Sequence, residues 1–139
     1  MIDRIFHGTT VALNGRGCFI FGPAGAGKST LALMLMAHGA TLIADDQTLI
    51  ELRAGQLIAT APEAIRGQIE ARGIGILGAQ TEGQAALVLA VDLGQPEPLR
   101  LPDQRVWTCK NISLPLVLAG GSAQAWAGIL QYLKGGRRA

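Results

Sequence analysis

Residues 22–29 have the composition and spacing of a loop that wraps the phosphates of a nucleotide. They fit the pattern G-x-x-x-x-G-K-[ST]. Glycines let the backbone point its N–H groups at an anion, Lys28 can reach the β- and γ-phosphates, and Ser29 can coordinate Mg²⁺. We therefore predict that the chain binds ATP and Mg²⁺. The candidate nucleotide-binding residues are Gly22, Pro23, Ala24, Gly25, Ala26, Gly27, Lys28, Ser29 and Thr30.

Carboxylates that could complete this chemistry occur at two places. Asp45 and Asp46 follow the apolar run 41–44, and Asp92 ends the apolar run 87–91. Either place could supply a metal anchor or a base that takes the proton of a nucleophile. Because adjacent side chains of an extended segment point to opposite faces, we expect only one of the neighbouring pair to face the γ-phosphate. We favour Asp46 as the base, with Asp45 bonded to backbone or to water of the metal site.

The segment 66–76 is rich in glycine and in alternating charges. This composition suits neither a helix nor a plain amphipathic strand, so we predict a functional loop beside the nucleotide. Glu70 could contribute to the metal site, and Arg72 could contact phosphate.

Strand and helix patterns must position these residues. Two β-rich runs flank the turn 14–17 and lead into the phosphate loop, and a helix over 28–38 should follow it. Ser122 can cap a second helix that runs to about Lys134. The resulting class is α/β with a mixed sheet. We predict strands over residues 9–13, 18–21, 41–44, 49–52, 56–60, 86–93 and 105–109.

Composition narrows the class of protein. The 139 residues suffice for one domain, and the content of 49% hydrophobic and 16% charged residues indicates a globular protein. The net charge of +2 is too small to predict nucleic-acid binding, and no apolar run is long enough for a membrane span. Residues 1–4 lack the apolar core of a secretory signal, so we expect a cytoplasmic protein. Cys18 and Cys109 have no metal-binding spacing and are expected to be core thiols.

Taken together, the motifs resemble the C-terminal catalytic domain of HPr kinase/phosphorylase, an enzyme that phosphorylates a serine of the phosphocarrier HPr. The short α-proteobacterial members, which lack the N-terminal domain of longer relatives, are the most similar. On this basis residues 1–139 are expected to form a single catalytic domain. The resemblance rests on His7-Gly8, the phosphate loop, and segments 42–46, 70–76, 91–93 and 99–102.

The resemblance implies specific roles. Asp46 would be the base in phosphorylation and the acid in the reverse reaction, while Lys28 would hold phosphate. Ser29 and Glu70 would bind Mg²⁺. The resemblance also implies a P-loop fold related to phosphoenolpyruvate carboxykinases, an HPr-like partner protein and a homo-oligomer, which is a hexamer in the family. His7 and Arg100 would belong to the active site.

Two departures from the family pattern bear on activity. Thr30 stands where many members have an acid, and residues 120–123 lack the arginines of the longer enzymes. The kinase reaction is therefore predicted more firmly than phosphorolysis. Two other functions are compatible with the phosphate loop, namely a small-molecule kinase and a regulatory nucleotide-binding module without catalysis.

Overall fold

The structure of this chain, a computed structural model, describes residues 4–139. Residues 1–3, on which the prediction about a secretory signal partly depends, lie outside the described residues. Within residues 4–139, no helix combines the length and the apolar content needed to span a membrane. A short 3-10 turn covers Glu63–Ile65. The helices are α1 (Lys28–Ala37) and α2 (Ala125–Gly135). The strands are β1 (Ile5–His7), β2 (Thr9–Leu13), β3 (Arg16–Phe21), β4 (Thr41–Ala44), β5 (Gln47–Arg53), β6 (Gln56–Thr60), β7 (Gln68–Ala71), β8 (Gly75–Gly78), β9 (Ala85–Asp92), β10 (Arg105–Cys109) and β11 (Ile112–Leu118).

One large mixed sheet organises the fold. Its strand order is β1-β5-β6-β9-β3-β2-β4, and β11 also pairs with β9 and carries β10. The central strand β9 runs parallel to β3 and β11, whereas the other pairings are antiparallel. The predicted α/β class with a mixed sheet is confirmed. The phosphate loop leaves the carboxyl end of β3, where ligands bind in open α/β sheets.

The sheet separates two apolar cores because successive side chains of a strand point to opposite faces. On one face, Cys18 and Ile20 pack with Leu35 of α1 and Leu133 of α2. On the other face, Phe19 packs with residues of β4, β5 and β6 and with a set of partly buried aromatic side chains. The phosphate loop therefore connects β3 to α1, and both of these elements pack into the first of the two cores. The partly buried aromatic side chains on the second face are Phe6, Phe21 and Trp107.

The structure corrects two predictions. The segment 66–76 is not an irregular loop, because β7 and β8 form a separate antiparallel hairpin. Its strand β7 is amphipathic, with Ile69 and Ala71 buried and their neighbours exposed. Ser122 does not cap α2. The cap residue is Gln124, and the backbone N–H of Ser122 closes a preceding turn onto the carbonyl of Ala119.

Two strands of the main sheet had no sequence prediction. β1 has only three residues, and β11 contains Pro115, which argues against an inner strand. Pro115 is paired with Val106 of β10 alone, because the pairing of β11 with β9 begins only at Leu116. The predicted core positions of Cys18 and Cys109 are confirmed, since both are buried free thiols.

Candidate active site

The phosphate loop is held open by glycines in the left-handed region. Gly25 has φ +82° and Gly27 has φ +99°, and a Cβ at either position would meet no atom within 4 Å. Backbone conformation, rather than a neighbouring group, therefore demands glycine at both. The space beside them is free for an anion.

Helix α1 directs its positive end into this space. Gly27 is the cap residue, and no side chain caps the helix. The first bond from the helix back to the cap joins the N–H of Leu31 to the carbonyl of Gly27, at 2.9 Å. The N–H groups of residues 28–30 consequently have no partner within the helix and face outward from its amino end. This arrangement suits a phosphate group.

Lys28 lies over the loop. Its Nζ atom donates hydrogen bonds to the carbonyl oxygens of Gly22 at 2.8 Å and Pro23 at 3.2 Å. An ammonium group carries three donors, so one N–H remains for an anion in the cradle. The lysine charge is thereby held at the mouth of the loop.

Asp45 connects the loop to two other elements. Its Oδ1 atom accepts hydrogen bonds from the hydroxyl groups of Ser29 at 2.6 Å and Thr9 at 2.9 Å. Its Oδ2 atom accepts the backbone N–H of Glu70 at 2.9 Å. The side chain is buried, with residue exposure of 7%. One carboxylate thus ties together the start of α1, β2 and the hairpin strand β7.

Asp46 occupies a different environment from its neighbour. It is exposed and has φ +69°, a conformation that is uncommon for a residue other than glycine. Two backbone bonds hold it there, from its own N–H to Thr9 Oγ1 at 3.1 Å and from the N–H of Gly8 to its carbonyl at 2.9 Å. Of the neighbouring pair, only Asp46 is therefore exposed, whereas Asp45 is buried and bonds to the backbone of Glu70.

A polar cleft gathers most of the sequence-predicted residues. Asp46 lines it together with Glu70 and Arg72 of the hairpin. The alternation of β7 explains the position of Glu70, because burial of Ile69 and Ala71 turns the intervening side chain outward. The remaining lining residues belong to the phosphate loop and the start of α1, namely Ala24, Gly25, Gly27, Lys28, Ser29 and Thr30.

The oxygen donors at this cleft fit Mg²⁺. Ser29 and Glu70 line the cleft with a hydroxyl and a carboxylate, and the buried carboxylate of Asp45 lies directly behind Ser29. Hard oxygen ligands are those that this ion prefers. Among residues 4–139 there is no group of three or more His, Cys, Asp or Glu side chains able to hold a metal ion. The protein part of the site would therefore need phosphate oxygens and water to complete the coordination shell, as is usual for Mg²⁺ with nucleotides.

His7 and Arg100 are not among the residues that line the cleft within the described range 4–139. His7 is exposed at the end of β1 and lines a groove with aromatic side chains on the other face of the sheet. It nevertheless precedes Gly8, which bonds to the backbone of Asp46. Arg100 lies exposed in the connection between β9 and β10.

Asp92 uses both carboxylate oxygens within its own turn. Oδ1 accepts the N–H of Gly94 at 2.7 Å, and Oδ2 accepts Nε2 of Gln95 at 2.9 Å. Since Ser29 is bonded to Asp45 instead, the structure favours the pair 45–46 over Asp92 as the acidic partner of the loop.

Thr9 is a site residue that the sequence analysis missed. Its hydroxyl, fully buried, donates to Asp45 and accepts the N–H of Asp46. The sequence does contain a hint of this role, since two hydroxyl residues stand at 9–10 in an otherwise apolar strand. Buried hydroxyl groups need hydrogen-bond partners, so these residues could have been expected to contact other polar groups.

Comparison with known proteins gives a consistent result. A family model described as HPr Serine kinase C-terminal domain matches residues 2–88. HPr kinase/phosphorylase from Exiguobacterium sibiricum is 45% identical over 78 residues, which are 54% of this chain and 24% of that protein. The enzyme of the same name from Caldicellulosiruptor bescii is 47% identical over 72 residues, or 51% of this chain and 23% of that protein. The matched segment thus spans about a quarter of these relatives.

Similarity in three dimensions extends further along the chain. The solved structure of the Hpr(Ser) kinase/phosphatase from Coxiella burnetii superposes with a TM-score of 0.80 at 26% identity. The superposition covers 94% of this chain and 88% of that one. It therefore includes much of the chain beyond residue 88, where the family model ends.

Proposed function

Because the chain belongs to the HPr serine kinase C-terminal domain family, we propose that it transfers the γ-phosphoryl group of ATP to a serine of an HPr-like phosphocarrier protein. The observation that carries this proposal is the shared cleft of Lys28, Ser29 and Asp46. It combines a phosphate cradle with an exposed carboxylate that has no other assigned task. Those are the parts that phosphoryl transfer to an alcohol requires.

The cradle positions the donor. Backbone N–H groups of the loop and of the first turn of α1 bind the phosphate oxygens, and the Lys28 ammonium adds positive charge. These groups are fixed before the reaction, so they need little reorganisation as negative charge shifts to the leaving oxygen.

Ser29, Asp45 and Glu70 are the residues that would hold Mg²⁺. When bound, the ion neutralises charge on the phosphate oxygens. Asp45 orients Ser29 by accepting its hydroxyl proton in a hydrogen bond, which leaves the lone pairs of Oγ available to a cation. The Asp45 carboxylate thus also positions Ser29 and, through the backbone N–H of Glu70, the hairpin that carries Glu70.

Asp46 takes the proton. The serine oxygen of the carrier forms a bond to the γ-phosphorus while the bond from that phosphorus to the bridging oxygen of ADP breaks, and the hydroxyl proton passes to the Asp46 carboxylate. In the reverse phosphorolysis, an oxygen of inorganic phosphate attacks the phosphoserine phosphorus. Protonated Asp46 then returns its proton to the departing serine oxygen, and pyrophosphate is the second product.

The open surface of the site supports a protein acceptor over a small molecule. Asp46, Glu70 and Arg72 are all exposed, so a serine on the surface of a folded partner can approach them. Small-molecule sites usually enclose most of the ligand. A regulatory module without catalysis would not require an exposed carboxylate beside the γ-phosphate.

Mass spectrometry of an HPr-type carrier after incubation with the protein, Mg²⁺ and ATP tests this proposal. We expect one added phosphate on a serine of the carrier. Asp46→Asn should lower the initial rate by about a hundredfold or more, since general-base catalysis is worth that much. Asp103→Asn, which neutralises another exposed aspartate, is the matched control and should leave the rate unchanged.

Two results would reject the proposal. One is ATP binding without phosphorylation of any carrier serine, which would indicate a regulatory module. The other is full activity of Asp46→Asn. To test the small-molecule alternative, the protein is incubated with labelled ATP and a mixture of small metabolites in place of the carrier.

Our proposal also includes a cytoplasmic location and a homo-oligomer. Sedimentation velocity tests whether the protein is a homo-oligomer.

A further inference from the structure

A second groove adjoins the polar cleft and differs from it in character. Leu31 and Met34 of α1 form one side, Leu93 and Ala119 form the floor, and Trp126 of α2 forms another side. Met34 is 38% exposed, so part of its side chain is accessible to solvent. The groove therefore presents apolar surface directly to solvent.

The two sites are continuous. Gly27 and Thr30 line both of them, so the groove begins at the helix end where the phosphate cradle stops. A molecule with an anionic end and a flat apolar end could occupy the two sites at once.

We propose that this groove binds the purine base of the nucleotide whose phosphates lie in the polar cleft. A purine has two broad apolar faces, and stacking on an aromatic side chain is a major source of base affinity. The inference rests on the proposed nucleotide-dependent function and adds the residues that hold the nucleoside. Trp126 supplies the aromatic surface, and Leu31 and Met34 contact the base from α1.

His38 positions the Trp126 ring. The two rings stack with centroids 4.3 Å apart and an interplanar angle of 24°. The imidazole is itself held by a hydrogen bond between Nδ1 and the carbonyl oxygen of Met34, at 2.9 Å. Both sides of the groove are thus linked through one histidine at the end of α1, which restricts the rotation of the indole before any ligand arrives.

Affinities for ADP and for inorganic pyrophosphate, both with Mg²⁺, separate the groove from the phosphate cradle. We expect ADP to bind the full chain about tenfold or more tightly than pyrophosphate by titration calorimetry, because only ADP carries the base. Trp126→Ala should weaken ADP by about fivefold or more and leave pyrophosphate unchanged. Lys28→Ala should weaken both ligands.

A second variant is needed because Trp126 also packs against the core. Ala123→Phe places a ring in the groove from an exposed position that lines it. This variant should weaken ADP but not pyrophosphate. Ala127→Phe, at an exposed position of α2 that does not line the groove, is the matched control and should bind both ligands normally.

The two tryptophans of the chain allow a direct spectroscopic test. In Trp107→Phe the only tryptophan is Trp126, and ADP should change the tryptophan fluorescence while pyrophosphate does not. In Trp126→Phe the only tryptophan is Trp107, on the opposite face of the sheet, and its fluorescence should not respond to the base. The pyrophosphate comparison separates contact with the base from a structural response to phosphate.

Each outcome is decisive for one of the two proposals. If ADP and pyrophosphate bind equally and Ala123→Phe affects neither, the groove does not hold the base, although the phosphate site survives. If Ala123→Phe changes only the oligomeric state in sedimentation, the groove is a contact between copies and the inference is likewise rejected. If neither ligand binds, the proposed function itself fails.

Discussion

The hydroxyl oxygen of Ser29 lies 2.6 Å from Oδ1 of Asp45, although the two residues are 16 positions apart in the chain. The same buried carboxylate accepts bonds from Thr9 and from the backbone of Glu70. It therefore links the start of α1, β2 and β7 through hydrogen bonds, in addition to the apolar core that these elements share. A change at Asp45 should therefore affect stability as well as the proposed metal site, whereas a change at the exposed Asp46 should affect chemistry with little effect on stability.

We predict that Asp45→Asn lowers the free energy of unfolding by about 2 kcal/mol, because an amide nitrogen cannot accept the hydrogen bonds that the carboxylate receives. Asp46→Asn should change that free energy by less than about 0.5 kcal/mol, as expected for an exposed side chain. Urea denaturation of both variants measures the difference. Equal stability of the two proteins would contradict the assigned division of roles.

Thr9 is predicted to be a positioning residue for Asp46. Thr9→Val keeps the side-chain shape but removes the hydroxyl that accepts the Asp46 N–H. We expect kcat for phosphoryl transfer to fall by about tenfold or more, since small displacements of a reacting group are costly. KM for ATP should change little.

Thr10→Val provides the control for Thr9→Val. Thr10 is equally buried and bonds to Thr48 at 2.9 Å, but it does not contact either aspartate. Both variants should lose about 1 kcal/mol of stability. A similar fall of kcat in the two proteins would show that stability, and not the position of Asp46, explains the effect.

Gly8 is predicted to tolerate no side chain. A Cβ atom there would lie 2.6 Å from the carbonyl oxygen of Ile20 and 2.5 Å from the ring of Phe19. Because the backbone oxygen cannot move without disturbing β3, Gly8→Ala should cost about 1–3 kcal/mol. Gly83→Ala, where no atom lies within 4 Å, should be nearly neutral in the same thermal unfolding assay.

The stability of the protein should decline at alkaline pH because of Cys18. Burial raises the pKa of this thiol from its ordinary value of 9.0 to about 12. Between these two pKa values the folded state keeps the thiol proton and the unfolded state loses it. The contribution of Cys18 to the free energy of unfolding is therefore fully present below about pH 9 and diminishes as pH rises towards 12. Cys18→Ala should show a smaller fall in Tm between pH 8 and about pH 10.5.

A thiol reagent gives an independent check on Cys18. At pH 8 the native protein should react slowly, because the buried thiol is protonated, and reaction should become rapid after denaturation. Burial also raises the pKa of Cys109. The variant Cys109→Ala therefore isolates Cys18 in this measurement, and immediate reaction of that native variant would contradict the prediction.

Local patterns in the sequence were sufficient for the phosphate loop and most strands. The bounds of β2, β4, β6 and β10 agree with the predicted ranges, because turn residues and apolar runs mark both ends of each strand. The hairpin of β7 and β8 escaped prediction. Its strands are short, and the amphipathic pattern of β7 depends on burial of Ile69 in the core that contains Leu35 of α1.

The phosphate-binding loop could be predicted from the sequence because its glycines, Lys28 and Ser29 lie in one continuous segment. The hydrogen-bond partners of the two aspartates became apparent only in the folded chain. The bond from Ser29 to Asp45 and the bonds of Thr9 to both aspartates join separate elements, and the left-handed conformation of Asp46 lies between β4 and β5. Their partners are distant in the chain, and side-chain periodicity within one segment carries no information about which distant groups will meet.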